Sequence, residues 1–167
     1  MKPSIFAITL LLSCLGCTSP ESDQLGSQQE EQIKREVKAV ADSIWAKWKE
    51  MDPEAALRYY ADSTDWMSFN SQGLPCDGHT YRKLAADFKN SAAAYKWTTT
   101  RQEFKVAAKD IVICTWTGKD ETVWKSGDKT TCDPHAYTLV FKKISGQWRL
   151  VHSHDSGIAV TQKAATE

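Results

Sequence analysis

A β-hairpin near the end of the chain constrains the fold more than any other stretch of the sequence. Residues 141–156 read FKKISGQWRLVHSHDS, which is an apolar run, a Ser145-Gly146 turn and a second run of alternating character. Turns of this kind supply the positive φ angles of a tight hairpin. Alternate side chains of a strand point to the same side, so the return strand is predicted to place four residues on one face: Trp148, Leu150, His152 and His154. Two histidines on an otherwise apolar face would line a cavity or lie at the rim of a core.

Three further strand-like runs lead into this hairpin. Runs rich in β-branched and aromatic residues occupy positions 96–107, 111–125 and 131–144, and short turn-like segments separate them. Short connections favour antiparallel pairing of consecutive strands. The second half of the chain is therefore predicted to form a curled antiparallel sheet.

The first half of the domain has helical periodicity instead. Apolar residues recur at helical spacing over about 29–51 and again over about 80–93. Between them, an Asp-Pro pair supplies an N-cap and a first helical residue, which predicts a short helix over 53–61. Residues 65–70 alternate like a short strand. Helices followed by a run of strands indicate an α+β domain with its helices segregated to one face of the sheet.

The N-terminal segment is typical of an export signal. Lys2 precedes an apolar stretch that is too short to span a bilayer as a stable helix. This stretch ends in LLSCLGC, which resembles a bacterial lipoprotein signal, where cleavage occurs before a cysteine that carries the lipid. Cys17 is the preferred lipidation site and Cys14 is the alternative. The sequence therefore predicts export to the bacterial cell envelope and a lipid anchor in the membrane.

Composition divides the rest of the chain into a tether, a domain and a tail. Residues 1–16 are the predicted signal peptide, and residues 17–29 are too polar to bury a core, so they are predicted to be a flexible tether. Residues 30–160 have the length of one ordinary domain. Residues 161–167 are left as a short tail.

Charge and cysteine content exclude two classes of function. Lysine plus arginine and aspartate plus glutamate are equal at 21 each, so the chain lacks the basic footprint of a nucleic-acid-binding protein. Cys76, Cys114 and Cys132 show neither a CxxC pair nor the Cys/His spacing of a zinc site. No metal and no other cofactor is predicted. A disulfide between Cys76 and Cys132 is left open, because an exported protein can oxidise such a pair.

Three segments in order resemble the nuclear transport factor 2-like superfamily, which includes ketosteroid isomerase-like and SnoaL-like domains. They read WKEMDPEAALRYYADST, DGHTYRKLAADF and SGQWRLVHSHDS, and the resemblance covers about residues 30–156. It implies a cone-shaped, curled antiparallel sheet wrapped around three N-terminal helices. It also implies a pocket at one end of the cone and a homodimer formed through the sheet. Because this fold hosts isomerases, dehydratases, cyclases and binding domains, the resemblance does not fix a function.

Turn length predicts which residues of the last two strands face each other. A two-residue Ser-Gly turn pairs Leu139 with His152 and Tyr137 with His154. A slip of one residue would move these side chains to the opposite face of the sheet.

A two-residue turn at Gly127-Asp128, between the second and third strand-like runs, predicts two further pairs on the same face of the sheet. It pairs Asp120 with His135 and Trp116 with Leu139. Apolar walls with a few convergent polar groups are typical of small-molecule sites. The predicted ligand-binding residues are Trp116, His135, Tyr137, Leu139, His152 and His154.

The leading functional expectation is a pocket that binds a small, partly apolar organic molecule. The alternative is a metal-independent isomerase, dehydratase or cyclase, since histidine moves protons at neutral pH. In that case the catalytic residues would be His154, His152, Asp120 and Tyr137. A second alternative, a non-catalytic envelope interaction module, predicts no substantial cavity and an apolar patch on the outer sheet face. The catalytic set of ketosteroid isomerase does not map onto this chain, so steroid isomerisation is not expected.

Overall fold

A computed structural model of the chain describes residues 25–62, 64–70 and 73–165. The predicted signal peptide (1–16), both candidate lipidation cysteines, Cys14 and Cys17, and the first part of the tether lie outside these residues. The helices are α1 (Ser27–Lys49), α2 (Pro53–Leu57) and α3 (Gly78–Ser91). The strands are β1 (Met67–Phe69), β2 (Pro75–Asp77), β3 (Ala92–Ala108), β4 (Ile111–Trp124), β5 (Lys129–Ile144) and β6 (Gln147–Gln162). In the described part of the chain, no helix is long and apolar enough to cross a membrane.

The three helices begin within a few residues of their predicted starts, but α2 ends at Leu57 and not at the predicted Ala61. In α1 the buried side chains recur at helical spacing and face the sheet. The short helix α2 begins with Pro53 after the cap residue Asp52, whose carboxylate accepts the Ala55 N–H at 3.3 Å. The cap of α3 is Asp77, which accepts the Thr80 N–H at 2.7 Å.

The sheet has six strands in the order β2-β1-β6-β5-β4-β3. The four long strands pair antiparallel with their chain neighbours, as predicted, whereas β1 lies parallel to β6. The short strand β2 is an addition that the sequence pattern did not indicate. A curled, open sheet with N-terminal helices against its inner face confirms the predicted α+β cone.

The connection between β4 and β5 is longer than the predicted two-residue turn. Val123 pairs with Lys129, and Trp124 N donates to Asp128 O at 2.9 Å inside the loop. A bulge at Asp133 and Pro134 then shifts the register in the opposite direction, since proline has no N–H to donate to a ladder. The combined displacement is an even number of residues, so the predicted inner side chains of β4 stay on the inner face. The predicted pairs themselves are wrong. In the structure His135 pairs with Gly118, Asp120 with Cys132, and Trp116 with Tyr137.

The hairpin between β5 and β6 starts in the predicted register and then departs from it. Ile144 pairs with Gln147, as the two-residue turn requires, but β6 contains one extra residue between Leu150 and His152. A displacement of one residue reverses the faces. The prediction that His152 and His154 share the inner face with Trp148 and Leu150 is therefore wrong.

After this bulge, different residues of β6 occupy the inner face. Leu139 pairs with Ser153, and Tyr137 pairs with Asp155. Ser153 is buried, whereas His154 is exposed.

Contacts at the other edge of β6 explain the position of the bulge. Leu150 donates its N–H to Tyr59 O at 2.9 Å, and its carbonyl accepts the Ala61 N–H at 2.8 Å. Just beyond, β1 pairs in parallel with residues 152–154. The extra residue lies between these two contacts. Segments far away in sequence therefore determine the local register of β6.

Glu36 links α1 to the β5–β6 hairpin. Its carboxylate accepts hydrogen bonds from Trp148 Nε1 at 3.0 Å, Lys143 Nζ at 3.1 Å and Gln32 Nε2 at 3.0 Å. These bonds, of which the one from Trp148 has the largest effect, lower the pKa of Glu36 from 4.5 to about 2. The carboxylate therefore stabilises the folded chain while it is ionised.

Replacing Glu36 with glutamine should weaken this link in a pH-dependent way. The folded-state pKa lies below the unfolded value, so the contribution is present above pH 4.5 and is lost as the pH falls through about 2. We expect E36Q to lower the free energy of unfolding by about 1 kcal/mol above this range and by less within it. Urea unfolding across the range measures the effect, with E31Q as an exposed control. Equal losses in both variants at every pH would contradict the assignment.

Candidate functional site

A cavity of about 410 Å³ lies between the helices and the inner face of the sheet. Its walls are mainly aromatic, and its polar groups come from β4, β5 and β6. The aromatic side chains are Trp45, Trp48, Tyr60, Tyr81, Phe88, Tyr95, Trp124 and Tyr137. The polar or sulfur-bearing side chains from the sheet are Asp120, Thr122, Thr130, Cys132, His135 and Ser153.

His135 is held between two carboxylates on the wall of this cavity. Its Nδ1 lies 2.5 Å from Asp120 Oδ2, and its Nε2 lies 3.3 Å from Asp155 Oδ2. The His135 side chain is 9% exposed, and those of Asp120 and Asp155 are 14% and 23% exposed. We refer to Asp120, His135 and Asp155 as the Asp-His-Asp cluster. The bond to Asp120 is the shorter of the two. Asp120 lines the cavity together with His135, whereas Asp155 does not.

Two glycines flank the imidazole, and Gly157 leaves space for its ring. Gly118 of β4 and Gly157 of β6 are the cross-strand partners of His135 on either side. A Cβ at Gly157 would meet Cys132 Sγ and His135 Cδ2, and a Cβ at Gly118 would meet Thr98 O. Each aspartate lies two residues along the strand from its glycine, so both carboxylates reach the ring diagonally across the sheet.

The cluster carries a positive charge on the imidazole at neutral pH. Burial lowers the pKa of His135, but the hydrogen bonds and charges of Asp120 and Asp155 outweigh burial and raise it from 6.5 to about 9. Both ring nitrogens then donate. His135 is therefore equipped to act as a proton donor.

Tyr137 packs directly against this imidazole. The two ring centroids are 4.5 Å apart, and the Tyr137 ring also meets Trp45 and Trp97 edge-on. Burial, followed by the charges of neighbouring groups that include Asp155 and Asp120, raises the pKa of Tyr137 well above 10.0. The phenol stays protonated. It can therefore donate a hydrogen bond but is a poor base.

The structure brings together some of the predicted site residues and separates others. Four of them line the cavity: Asp120, His135, Tyr137 and Leu139. Trp116 is buried behind the wall, with its ring centroid 5.1 Å from that of Trp45. His152 and His154 point away from the cavity and lie against Phe69, with ring centroids 6.4 Å and 6.3 Å away. The one-residue bulge in β6 is the cause.

Sequence reasoning missed Asp155, Gly118 and Gly157. Strict alternation along β6 from Trp148 predicts Asp155 on the outer face, because it does not allow for the bulge. A signal does exist in the sequence, since Gly-x-Asp at 118–120 and Asp-x-Gly at 155–157 are mirror images on the two strands that flank His135. Its meaning depends on knowing that both glycines pair with the same histidine.

The cysteines do not form the disulfide that was left open. Cys76, Cys114 and Cys132 are all buried free thiols. Cys76 lies on β2 and Cys132 on β5, with β1 and β6 between those strands, so the pair is too far apart to bond. Within residues 25–62, 64–70 and 73–165, no group of three or more His, Cys, Asp or Glu side chains is arranged to hold a metal ion.

Replacing His135 with glutamine should remove a pH dependence of stability. The folded-state pKa is raised, so the contribution is fully present below pH 6.5 and is lost as the pH rises through about 9. For the wild-type chain this loss is on the order of 3 kcal/mol. Urea unfolding at both ends of the range measures it, and H79Q, at an exposed histidine of α3, is expected to keep the wild-type slope. A wild-type slope in H135Q would contradict the assignment.

Comparisons with solved structures agree with this architecture. A proposed scytalone dehydratase from Novosphingobium aromaticivorans has a TM-score of 0.72 and 9% identity, with 85% of this chain and 94% of that chain covered. A hexachlorocyclohexane dehydrochlorinase, LinA type 3, from Novosphingobium barchaimii has a TM-score of 0.69 and 7% identity over 85% and 100%. The association domain of C. elegans CaMKII has a TM-score of 0.61 and 17% identity over 77% and 98%. At these identities the similarity shows the fold alone.

Sequence comparison identifies the family. No curated protein matches the chain. A family model described as a SnoaL-like domain matches residues 37–161, which include every strand of the cone from β1 to β5 and nearly all of β6. The chain therefore belongs to the SnoaL-like domain family and has the nuclear transport factor 2-like fold.

Proposed function

We propose that the cavity binds a small, partly apolar organic molecule and that the Asp-His-Asp cluster transfers protons on it, in an elimination or an isomerisation. The observation that carries this proposal is the position of His135, which has a carboxylate on each ring nitrogen and lies on the wall of an aromatic cavity of about 410 Å³. Paired acid and base groups in an apolar pocket are typical of acid–base catalysis.

The geometry assigns a distinct role to each member of the cluster. Asp155, which does not line the cavity, holds Nε2 and orients the ring. Asp120, which does line the cavity, is the carboxylate that takes a proton from carbon. His135 donates its Nδ1 proton to the leaving group or to a developing oxyanion. In an elimination, the C–H and C–X bonds break, a C=C bond forms, and HX departs.

The contact between Asp120 and His135 also returns the cluster to its starting state. After the reaction Asp120 carries the proton from carbon and His135 is neutral. The 2.5 Å separation between Asp120 Oδ2 and His135 Nδ1 is short enough for the proton to pass back once the product leaves. Two of the structures with a similar fold are named as a dehydratase and a dehydrochlorinase, and both of these names describe eliminations.

The interaction-module alternative receives less support. It predicted that the cone would be filled, whereas a cavity with convergent polar groups is present. The exposed apolar residues Ile158 and Val160 on β6 fit the apolar outer face that this alternative requires. They are far fewer than the side chains that line the cavity.

Deuterium exchange into a carbon acid tests the proposed chemistry. We use 2-tetralone as the probe, because it is small, partly apolar and has acidic C–H bonds beside a carbonyl. NMR in D₂O should show faster exchange with the wild-type protein than in buffer. D120N and H135Q should each lower the rate at least about tenfold, and D133N, at an exposed carboxylate near the cluster, should not change it.

Binding is measured separately by quenching of tryptophan fluorescence. If 2-tetralone binds saturably without faster exchange, the cavity is a binding site and the catalytic part of the proposal is wrong. If neither binding nor exchange occurs, the whole proposal is overturned. Circular dichroism of each variant separates loss of activity from loss of folding.

We further propose that the domain acts at the bacterial cell envelope, held by a lipid on Cys17. The support is the LLSCLGC segment and the polar stretch that follows it. Radiolabelled palmitate should be incorporated into the wild-type chain and into C14S but not into C17S. Labelling that is lost only in C14S would assign the lipid to Cys14. No labelling in any of the three proteins would contradict the proposed lipid anchor.

A further inference from the structure

The charges around the cavity are unbalanced. Among the residues that the structure describes, no lysine or arginine lines the cavity. The Asp-His-Asp cluster contributes two carboxylates and one imidazolium, which leaves one net negative charge. A bound anion would meet no free cationic side chain, because His135 already has a carboxylate on each ring nitrogen.

The charges of Asp120 and Asp155 also affect the tyrosines of the cavity wall. Burial is the main cause that raises the pKa of Tyr81, Tyr95 and Tyr137, and the charge of Asp155 raises each of them further. The charge of Asp120 does the same at Tyr95 and Tyr137. The electrostatic potential at these walls is therefore negative and favours a positively charged ligand.

The walls themselves are built largely of aromatic rings. The rings form a continuous series, in which Phe88 lies 5.8 Å from Trp48, 5.6 Å from Tyr95 and 5.9 Å from Trp124 between ring centroids. The series continues from Trp48 to Tyr81 at 6.4 Å. The negative faces of such rings attract organic cations, most strongly where water is excluded.

From these observations we infer that the cavity selects a small organic cation, such as an aryl trimethylammonium or a protonated amine, over a neutral molecule of the same shape. This inference rests on the proposed function, since it names the class of molecule that the cavity takes. A neutral isostere gains the same burial of apolar surface. Only the cation also gains from the aromatic faces and from the net charge of the cluster.

A pair of isosteric probes isolates this difference. 3-Hydroxyphenyltrimethylammonium and 3-tert-butylphenol have nearly the same shape, and the first carries one positive charge. Their affinities for the protein are measured by calorimetry below pH 6.5, where His135 is protonated. We expect the cation to bind at least about tenfold more tightly than the neutral probe.

Two matched substitutions on β4 locate the source of the preference. Asp120→Asn brings the net charge of the cluster to zero, so the ratio of the two affinities should fall several-fold, to the part that the aromatic rings alone contribute. Glu121→Gln also removes one carboxylate, but Glu121 pairs with Lys129 at 2.9 Å and does not line the cavity, so the ratio should stay at the wild-type value. Asp155→Asn should repeat the effect of Asp120→Asn from the opposite strand, which guards against a local folding defect in one variant.

Each outcome decides between the two proposals. Equal or tighter binding of 3-tert-butylphenol overturns the selection of cations and leaves the small-molecule cavity intact. An equal loss of preference in Glu121→Gln and Asp120→Asn also overturns it, because the effect would then come from the overall charge of the protein. Failure of both probes to bind overturns the proposed function together with this inference.

Discussion

The hydrogen bonds of His135 to two aspartates on neighbouring strands are the interaction on which the candidate site depends. They require β4, β5 and β6 to be held in one register, with Gly157 beside the histidine to leave space for its ring and Gly118 on its other side to leave space for Thr98 O and the Trp97 ring. They also require the carboxylates to be largely buried, because exposed ion pairs contribute little. The register of the sheet, the two glycines and the pKa of His135 are therefore parts of one arrangement.

The helices complete the site by closing the inner face of the sheet. The buried side of α1 packs its tryptophan Trp45 on Trp97 with a centroid distance of 5.1 Å, and Glu36 fixes the same helix to the β5–β6 hairpin. Phe88 of α3 meets Tyr95 and Trp124 edge-on. The cavity remains open between these packed layers, so its apolar walls and its charged cluster come from different elements of the fold. This division lets one cavity combine burial of an apolar ligand with proton transfer or attraction of a cation.

Two register errors had opposite consequences for the prediction of the site. The longer loop after Trp124 and the bulge at Pro134 together displaced β4 by an even number of residues, so Asp120 stayed on the predicted face and reaches His135 diagonally. The single bulge after Leu150 displaced β6 by one residue. It placed His152 on the outer face and Asp155 on the inner face, because the side-chain period of a strand is two.

The sequence alone determined the three helices, the four long strands, the order of these elements and the inner face of β5, because these follow from local periodicity, capping residues and turn chemistry. Those signals lie within a few residues of the structure that they specify. Only the tertiary structure decided that Asp155 completes the site and that His154 does not. The bulge that decides this lies between the contacts of β6 with Tyr59, Ala61 and β1. These segments are about ninety residues away in sequence, and no pattern within β6 itself records where they pair.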